Sequence, residues 1–521
     1  MRNYNKLFTL ACLLATTLFS ATQANLHPGI TGSIDLSLFE DAKDAYLANI
    51  IDSLNGLSQF DYDLPRKQGF IKNNTIHITE TPSDVKLSTS DNNVFNIEIR
   101  DLTVNFVSQF FRYNLWFIPV KGFAKIKMSK VNLLLSVQLT TKTEKSRTLL
   151  QFNVVKADLQ LDYKRLDFDL GGGFLADFID IFIPLFRKTI SGDIERSVEA
   201  QLKSDLPQRL NQDLITDNGF LEPWKFPAFQ NMTIDYSVEV NPSINGTYLG
   251  AGFNGTVFNK GMLHYKPVSD PIMMPFHNYK VKSRVQFFIS EYFLETAAHS
   301  ALQDMAVGFF ISHKIVPESL PFDLTTTGLE RYFNGMEATF GKDVPVDLNF
   351  TLADVRDFEI VRSKEKIIAS VDFAIDFIVA FEDGRAPISA GKIEFNSTVV
   401  DFSVDVKGKR VTMEINDIDI EKIFIESDYL GNLDVSILKV FLNFALNEAI
   451  PFFNFLFGDY YVDLPEVIFG FFGIKDISFT YYDHYLECGI SPKFLPLTSQ
   501  KKLFDSFQKF NYLFEEKAFL Q

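Results

Sequence analysis

Apolar residues recur at helical spacing in some stretches of the chain and at every second position in others. Residues 171–202 open on three glycines and then carry one apolar stripe: Leu175, Ile179, Ile183, Phe186, Ile190, Ile194, Val198 and Leu202. Residues three or four apart share a helix face, so this pattern predicts a long helix lying on an apolar surface. Charged residues, Glu195 among them, fill the opposite side, which we expect to face solvent. Pro184 should bend the helix, and Pro207 should follow its end.

Two-residue alternation predicts antiparallel strands between residues 94 and 161. The apolar parity changes near Lys130 in one strand and near Val155 in the next. A one-residue change of parity indicates a β-bulge, and two neighbouring bulges indicate a strongly bent sheet.

The second half repeats the order of helix, strands and long helix. Its first helix should begin near residue 290 and its last near residue 433, as the earlier pair begins near 37 and 174. Residues 367–381 keep their apolar side chains on one parity without a break, and residues 479–490 read as the last strand. The repeated order predicts a duplicated domain.

The first 24 residues have the pattern of a secretory signal peptide: two basic residues, a short apolar run and a small-residue end. We therefore expect a secreted protein, extracellular or in the lumen of the secretory-endosomal system. Cys488 is the one cysteine after residue 24, so no intrachain disulfide is expected. The sequons predict a glycoprotein modified at Asn73, Asn231, Asn245, Asn254, Asn349 and Asn396.

Charge and motifs exclude several classes of function. The formal charge is −16, and it falls by two more when Arg2 and Lys6 leave with the signal peptide, which disfavours nucleic-acid binding. The seven histidines form no metal-binding motif, and no nucleophile elbow or P-loop occurs, so we expect neither an enzyme nor a metal or cofactor site. Residues 250–255 match GxGxxG but precede no helix, and they read as a turn between strands. The 55 phenylalanines fit either a large core or a ligand cavity.

Several short segments occur in an order that resembles one family. They are the lead-in His-Pro-Gly-Ile at 27–30, the long segment 174–210, the helix opening at 290–298, Leu-Thr-Thr at 324–326 and Asp-Leu-Pro at 463–465. In this order, over nearly all of the mature chain, the sequence resembles the family of bactericidal/permeability-increasing protein, lipopolysaccharide-binding protein and the phospholipid and cholesteryl-ester transfer proteins.

The resemblance implies an α+β fold, an elongated two-domain boomerang with a central sheet. Each half would be a bent antiparallel sheet, or barrel, covered by a short and a long helix. The implied divisions are a signal peptide at 1–24, an N-terminal lipid-binding domain at 25–225, a central linker and sheet at 226–265, a C-terminal lipid-binding domain at 266–495 and an amphipathic extension at 496–521.

The resemblance also implies an apolar pocket in each half, where the helices cover the sheet. The residues expected to contact lipid are Ile50, Ile51, Leu54, Leu175, Phe178, Ile179, Phe182, Ile183, Phe186, Phe293, Ala297, Leu438, Phe441 and Leu442. Core packing explains any one of them equally well. A lipid with about 30 acyl methylenes resists leaving a bilayer by tens of kcal/mol, and a continuous apolar cavity can offset that cost.

Two features depart from the family pattern. The family disulfide between the first sheet and the long helix cannot form, and the hairpin tip that is lysine-rich in endotoxin-binding members is aromatic here. The residues predicted to contact a membrane are Phe110, Phe111, Arg112, Trp116, Phe117, Lys142, Lys145 and Arg147. Aromatic side chains suit the bilayer interface, although Lys125 and Lys127 could join Lys142, Lys145 and Arg147 in a local basic patch. The extension carries a Leu503, Phe507, Phe510 and Phe514 stripe that suits a lid, an anchor or a docked helix.

The sequence therefore predicts a secreted protein that holds phospholipid or another acyl lipid in apolar pockets and transfers lipid between membrane or lipoprotein surfaces. Recognition of bacterial lipopolysaccharide is one alternative. A structural or signalling glycoprotein with permanently filled pockets is another, and a lipid hydrolase is disfavoured because no nucleophile motif occurs.

Overall fold

A computed structural model describes most of the chain. The described residues are 27–41, 60–64, 69–80, 84–115, 118–144, 147–171, 183–212, 220–221, 232–259, 271–304, 308–315, 323–407, 410–426, 435–457, 462–463, 467–468 and 472–494. The helices in them are α1 (Ser37–Asp41), α2 (Ile183–Gln212), α3 (Glu291–Asp304), α4 (Thr326–Glu330), α5 (Met336–Phe340), α6 (Val435–Glu448) and α7 (Ile450–Phe457).

Strands make up most of the described residues. The earlier ones are β1 (Ile30–Asp35), β2 (Phe60–Leu64), β3 (Gly69–Glu80), β4 (Asp84–Ser90), β5 (Val94–Leu115), β6 (Ile118–Glu144), β7 (Arg147–Gln160), β8 (Leu166–Gly171), β9 (Phe220–Leu221), β10 (Met232–Asp235), β11 (Val238–Asn245) and β12 (Tyr248–Phe253). The later ones are β13 (Val257–Asn259), β14 (Val285–Ser290), β15 (Gly308–Ile311), β16 (Val346–Val361), β17 (Lys366–Val379), β18 (Ile388–Lys407), β19 (Arg410–Asp419), β20 (Lys422–Glu426), β21 (Val462–Asp463), β22 (Val467–Ile468), β23 (Phe472–Tyr482) and β24 (Tyr485–Phe494).

The first half is a curled antiparallel sheet in the order β2-β3-β5-β6-β7, with β4 on β5 and β8 on β6. The predicted bulge near Lys130 is confirmed, because the pairing of β5 with β6 shifts between Leu102 and Val104 and Lys130 has a φ of 59°. Met128 and Val131 are consequently buried in the same core despite their different parity. The second bulge is also confirmed, but Val155 is half-exposed and does not continue the apolar face as the parity predicted.

The second half is a curled sheet in the order β15-β16-β17-β18-β19-β21, with β20 on β18. Strand β17 is the unbroken strand that the sequence predicts, although it ends at Val379. The bend arises in its neighbours, since both β16 and β18 shift their pairing between the partners of Val371 and Phe373. The middle strand therefore keeps its alternation while the flanking strands absorb the curvature.

A third sheet lies between the halves, in the order β11-β12-β1-β14-β24-β23-β22. It takes strands from both ends of the described chain, so only β11 and β12 come from the segment predicted as the central linker and sheet. The predicted last strand at 479–490 is wrong, because β23 and β24 form a hairpin that turns at His484, which has a φ of 76°. With two curled sheets and a central sheet, the α+β class is confirmed.

Each half meets the central sheet through specific hydrogen bonds. On the first half, the Asn93 Nδ2 donates to the Pro242 carbonyl at 2.5 Å, and the Asn93 Oδ1 accepts from the Ile244 N–H at 2.8 Å. On the second half, the His484 N–H donates to the Ile360 carbonyl at 3.2 Å. The end of each half beyond these joints is its distal end.

The helices differ from the prediction in two details. Helix α2 continues through Pro207 to Gln212, so the predicted end before this proline is wrong. Pro184 is the second residue of α2, and the chain before it lies outside the described residues, so the predicted bend stays a prediction. The second long helix is two helices, α6 and α7, which meet at Ala449. The GxGxxG segment opens no helix, as predicted, but its first four residues continue β12, and only Asn254 and Gly255 lie in the turn before β13, where Gly255 has a φ of 73°.

Candidate functional site

In the first half, the long helix α2 packs on the apolar inner face of the curled sheet. Val198 and Leu202 are 8% and 3% exposed, and they belong to the same core as Phe106, Ile126 and Leu133. The predicted stripe is therefore confirmed at these two positions.

Polar side chains fasten α2 to β7, which is the outermost strand of its sheet. The Asn211 Oδ1 accepts from the Phe152 N–H at 2.6 Å, and its Nδ2 donates to the Phe152 carbonyl at 2.8 Å. Further along, Glu195 accepts from the Leu161 N–H at 2.8 Å and Glu199 from the Leu159 N–H at 3.1 Å. This row of hydrogen bonds, the seam of the first half, replaces a missing neighbouring strand.

The second half has an equivalent seam between β19 and the helices α6 and α7. Asn454 binds both backbone groups of Ile415, accepting from its N–H at 2.8 Å and donating to its carbonyl at 2.8 Å. Asn447 does the same at Ile418, with distances of 3.1 and 2.6 Å. Asn443 accepts from the Ile420 N–H at 2.8 Å. Each half thus attaches its long helical segment along one edge of its sheet.

Sequence reasoning missed these residues. Glu195 was expected on the solvent side of its helix, and no role was predicted for the asparagines. A signal exists in the spacing, because Asn443, Asn447 and Asn454 follow one line beside the apolar stripe of their helices. Asparagine is a poor helix former, so its recurrence on one line of a helix indicates a specific contact.

The predicted lipid contacts fall into three groups. Leu438 and Leu442 are 3% and 5% exposed and pack in the core of the second half. Phe293 and Ala297 of α3 pack, half-buried, against the small sheet of β9, β10 and β13. The remaining residues lie outside the described chain or have side chains outside it: Ile50, Ile51, Leu54, Leu175, Phe178, Ile179, Phe182, Ile183, Phe186 and Phe441. Lipid contact stays a prediction for all of them.

The distal end of the first half presents phenylalanine and lysine side chains to solvent. Phe110 is 56% exposed and Phe123 is 43% exposed. Lys121, Phe123 and Lys125 alternate along β6, and Lys72 lies opposite Phe110 in the pairing of β3 with β5. The Lys125 Nζ lies 6.0 Å from the centre of the Phe123 ring. We call these five residues the distal surface.

The other predicted membrane contacts occupy different positions. Arg112 is half-buried, and its Nε is buried without a hydrogen-bond partner among the described residues. Lys142 and Arg147 lie at the opposite end of β6 and β7, where Thr141 contacts Asn241 of the central sheet and Arg147 pairs with Asp235 of β10 in the small sheet. The side chain of Phe111, and Trp116, Phe117 and Lys145, lie outside the described part of the chain.

The predicted single basic patch is therefore wrong. Lys127 and Lys142 are fifteen residues apart on one strand, which corresponds to roughly 50 Å along an extended strand. Lys125 and Lys127 belong near the distal surface, whereas Lys142 and Arg147 belong to the joint with the central sheet. Only the first pair is placed to meet a surface at the distal end.

The predicted glycosylation sites occupy different environments. Asn245 is exposed beside the hairpin turn at Gly246. Asn254 is half-buried, and its Nδ2 donates to Glu239 at 2.9 Å. Asn73, Asn349 and Asn396 lie half-buried on strands, and Asn231 lies outside the described residues. Glycosylation stays a prediction at all six.

Cys488 lies in the interior of the central sheet, and burial raises the pKa of its thiol to about 12. Within the described ranges, His, Cys, Asp and Glu side chains form no group of three that could hold a metal ion. No helix in the described part of the chain is long and apolar enough to span a membrane.

Comparison with known proteins complements this geometry. The chain is similar to a crystal structure of lipopolysaccharide binding protein, with 17% identity, coverage of 90% of this chain and 100% of that one, and a TM-score of 0.44. It is also similar to a crystal structure of P47 of Clostridium botulinum E1, with 13% identity, coverage of 90% of this chain and 100% of that one, and a TM-score of 0.24. For the crystal structure of Takeout 1 of Epiphyas postvittana, the identity is 14%, the coverage is 35% of this chain and 87% of that one, and the TM-score is 0.21. No curated protein matches the sequence.

The model of the C-terminal domain of the LBP / BPI / CETP family matches residues 229–491, which is just over half of the chain. The matched region takes in α3, the second curled sheet, its helical seam and the last hairpin of the central sheet. This chain therefore belongs to the LBP / BPI / CETP family.

Proposed function

We propose that this protein is a secreted lipid-binding protein that holds the acyl chains of phospholipid or another acyl lipid and transfers lipid between membrane or lipoprotein surfaces. Membership of the LBP / BPI / CETP family supports lipid as the ligand. No covalent step is required, because moving a lipid needs an apolar environment and a route rather than a reaction.

The distal surface is the observation that carries the proposal. Phenylalanine side chains can bury into the boundary between lipid head groups and acyl chains, and Phe110 and Phe123 are exposed at the end of a long hairpin. Lysines near an anionic membrane contribute about 1 kcal/mol each. Lys72 lies opposite Phe110 in the strand pairing, and Lys121 and Lys125 flank Phe123 along β6. The combination suits a surface whose lysines attract an anionic membrane and whose phenylalanine side chains then insert into it.

The seams support a route for the acyl chains. In each half the helical segment is hydrogen-bonded along one edge of the sheet, while its apolar side chains lie on the inner face. Separation at the opposite edge would leave the seam intact, since hydrogen bonds such as those of Asn454 to Ile415 need not break. An acyl chain can then replace protein contacts with its own, at about 0.8 kcal/mol per methylene.

The first test is native mass spectrometry of the secreted protein, followed by solvent extraction and a vesicle-to-vesicle transfer assay with the lipid that is recovered. We expect a mature chain that begins at Asn25, with one or two phospholipids bound, and transfer of labelled lipid. Bound lipid that never exchanges would favour a structural or signalling glycoprotein. A lipid-free mass together with no transfer would overturn the proposal, and release of hydrolysed product would indicate an enzyme.

Recognition of bacterial lipopolysaccharide is a second candidate, which the cationic part of the distal surface favours. Its phosphates would meet Lys72, Lys121 and Lys125, so binding should weaken steeply with salt. The charge reversals Lys121→Glu and Lys125→Glu should reduce binding at least tenfold at low salt. Lys203→Glu, on an exposed position of α2, is the matched control and should bind normally. Equal binding by all variants would exclude this candidate.

A further inference from the structure

Helix α6 exposes apolar side chains on the side that faces away from its sheet. Val440 is 72% exposed and Phe444, one turn later, is 53% exposed. Helix positions that face water ordinarily carry polar or charged residues. These two residues, the α6 face, therefore need a physical explanation.

The other sides of α6 already have partners. Leu438 and Leu442 are buried in the core of the second half, and Asn443 and Asn447 bind the edge of β19. The orientation of the helix is consequently fixed by contacts on two sides. The exposure of Val440 and Phe444 follows from that fixed orientation, and rotating the helix to hide them would break the seam.

The α6 face lies towards the distal end of the second half. The joint with the central sheet includes the Val404 N–H, which donates to the Tyr481 hydroxyl at 2.8 Å. Strand β18 runs between this joint and the distal end, and β20 pairs with its distal part, at residues 392–396. Helix α6 begins after β20 and returns towards the joint, because Asn443 binds at Ile420 and Asn454 binds further back at Ile415.

The charges around the α6 face differ from those of the distal surface. Ser436 is neutral, and the Lys439 Nζ donates to the Glu421 carbonyl at 3.1 Å. Glu448 follows Phe444 by one turn and is exposed. An apolar face with no cluster of cations among the described residues around it suits contact with an uncharged apolar layer rather than with phosphate groups.

The exposed area decides between a lipid layer and a second copy of the chain. Val440 and Phe444 together offer roughly 200 Å², whereas a stable protein interface needs about 800 Å² from each partner. A lipid interface accepts a smaller face, because each buried methylene contributes about 0.8 kcal/mol and a weak apolar signal adds to a second, cationic one. The area therefore favours a lipid layer.

We propose that the α6 face inserts into the interfacial layer of a membrane or lipoprotein, through apolar contact that is independent of head-group charge. This face gives the protein a second site of attachment to lipid, at the distal end of the second half. The cationic distal surface is the first site, at the distal end of the first half. This inference rests on the proposed function, since it assumes that lipid surfaces are what the protein meets.

The test compares binding of full-length variants to zwitterionic phosphatidylcholine vesicles in 0.5 M salt, where charge attraction is screened. We expect the double variant Val440→Ser and Phe444→Ser to lower partitioning at least fivefold. The matched control is Phe424→Ser, because Phe424 is 54% exposed but alternates with the inward-facing Ile423 and Ile425 of β20. This control should stay within twofold of the parent protein, and equal thermal unfolding of all variants shows that they fold.

A direct contact measurement is possible because Cys488 is buried and should not react with a thiol-specific label. A fluorescent bimane group is therefore attached to a surface cysteine introduced by Phe444→Cys or Phe424→Cys. Vesicles with nitroxide-labelled lipid serve as the quencher. Quenching at position 444 and not at 424 supports the inference. Equal partitioning of parent and double variant, equal quenching at both positions, or a dimer that Phe444→Ser converts to monomer would each overturn it.

The outcomes also separate this inference from the proposed function. Lys121→Glu and Lys125→Glu could abolish binding to anionic vesicles while Val440→Ser and Phe444→Ser change binding to no vesicle. This result would overturn the inference about the α6 face and leave the proposed function standing. Failure of the parent protein to bind vesicles of either composition, together with a lipid-free mass, would overturn both the inference and the proposed function.

Discussion

Asn454 occupies both backbone groups of Ile415, accepting its N–H at 2.8 Å and donating to its carbonyl at 2.8 Å. Asn211 treats Phe152 in the same way in the other half, at 2.6 and 2.8 Å. Phe152 lies on the outermost strand β7, and Ile415 lies on the part of β19 that β21 does not pair. Backbone groups at such an edge are left unpaired and invite another chain. An asparagine on the covering helix pairs with such groups in each half and fixes the position of the helix along the sheet.

The first prediction concerns this seam. Asn454→Ala leaves both backbone groups of Ile415 without their partner, so the free energy of unfolding should fall by about 1 to 3 kcal/mol. Urea unfolding of the full-length protein measures the change. Asn416→Ala is the control, because Asn416 is exposed on the same strand, and it should change the free energy by less than about 0.5 kcal/mol. Equal destabilisation by both variants would contradict a specific role for the seam.

The positions of the bulges in the sheets could be predicted, because a bulge changes the alternation of apolar and polar residues along a strand. Met128 and Val131 have opposite parity and both are buried, so a bulge between them is the one arrangement that keeps both on the inner face. The stripe of α2 was predictable for a similar reason, as Val198 and Leu202 confirm. Periodicity reports which face of an element meets apolar surroundings.

Partners distant in sequence could not be predicted in this way. Strand β1 pairs with β14 so that Ile34 lies opposite Val285, and nothing in either strand specifies the other. Glu195 looked like a solvent-facing charge, because a carboxylate on the edge of an apolar stripe suits water as well as a backbone N–H. Pro207 lies in the last turns of α2, where packing against the sheet overrides the local preference.

The second prediction concerns the joint of the first half. Arg147 and Asp235 form an ion pair whose side chains are 17% and 19% exposed. A double-mutant cycle with Arg147→Ala and Asp235→Ala should give a coupling of about 1 kcal/mol, since a partly desolvated pair is screened less than a surface pair. Lys142 and Glu144 on the same hairpin are 50% and 38% exposed, and their coupling should be near zero. A larger coupling for the exposed pair would refute this ranking.

The third prediction uses Cys488, whose thiol pKa is raised to about 12 by burial, with Glu487 adding to the shift. At pH 8.5 an unfolded thiol is about half ionised, so alkylation of the native protein by iodoacetamide should be roughly a thousandfold slower than in urea. Ser243→Cys, on an exposed position of β11, supplies the fast-reacting control. Because the raised pKa favours the neutral thiol, this contribution to stability is complete below pH 8.5 and is lost as the pH rises towards 12. Rapid labelling of native Cys488 would contradict its burial.

The fourth prediction concerns His277, which stacks on Tyr248 with 4.5 Å between ring centres and hydrogen-bonds the Ser33 hydroxyl at 3.0 Å. Burial lowers the pKa of His277, although Asp35 and Glu487 oppose the shift. The unfolded chain therefore takes up a proton at a higher pH than the folded chain. This contribution to stability is present above about pH 6.5 and is lost as the pH falls below it.

His277→Gln keeps a hydrogen-bonding group but cannot titrate, so its free energy of unfolding should decline less than that of the parent between pH 7.5 and 5. Parallel curves for the parent and His277→Gln would show that His277 is not linked to folding.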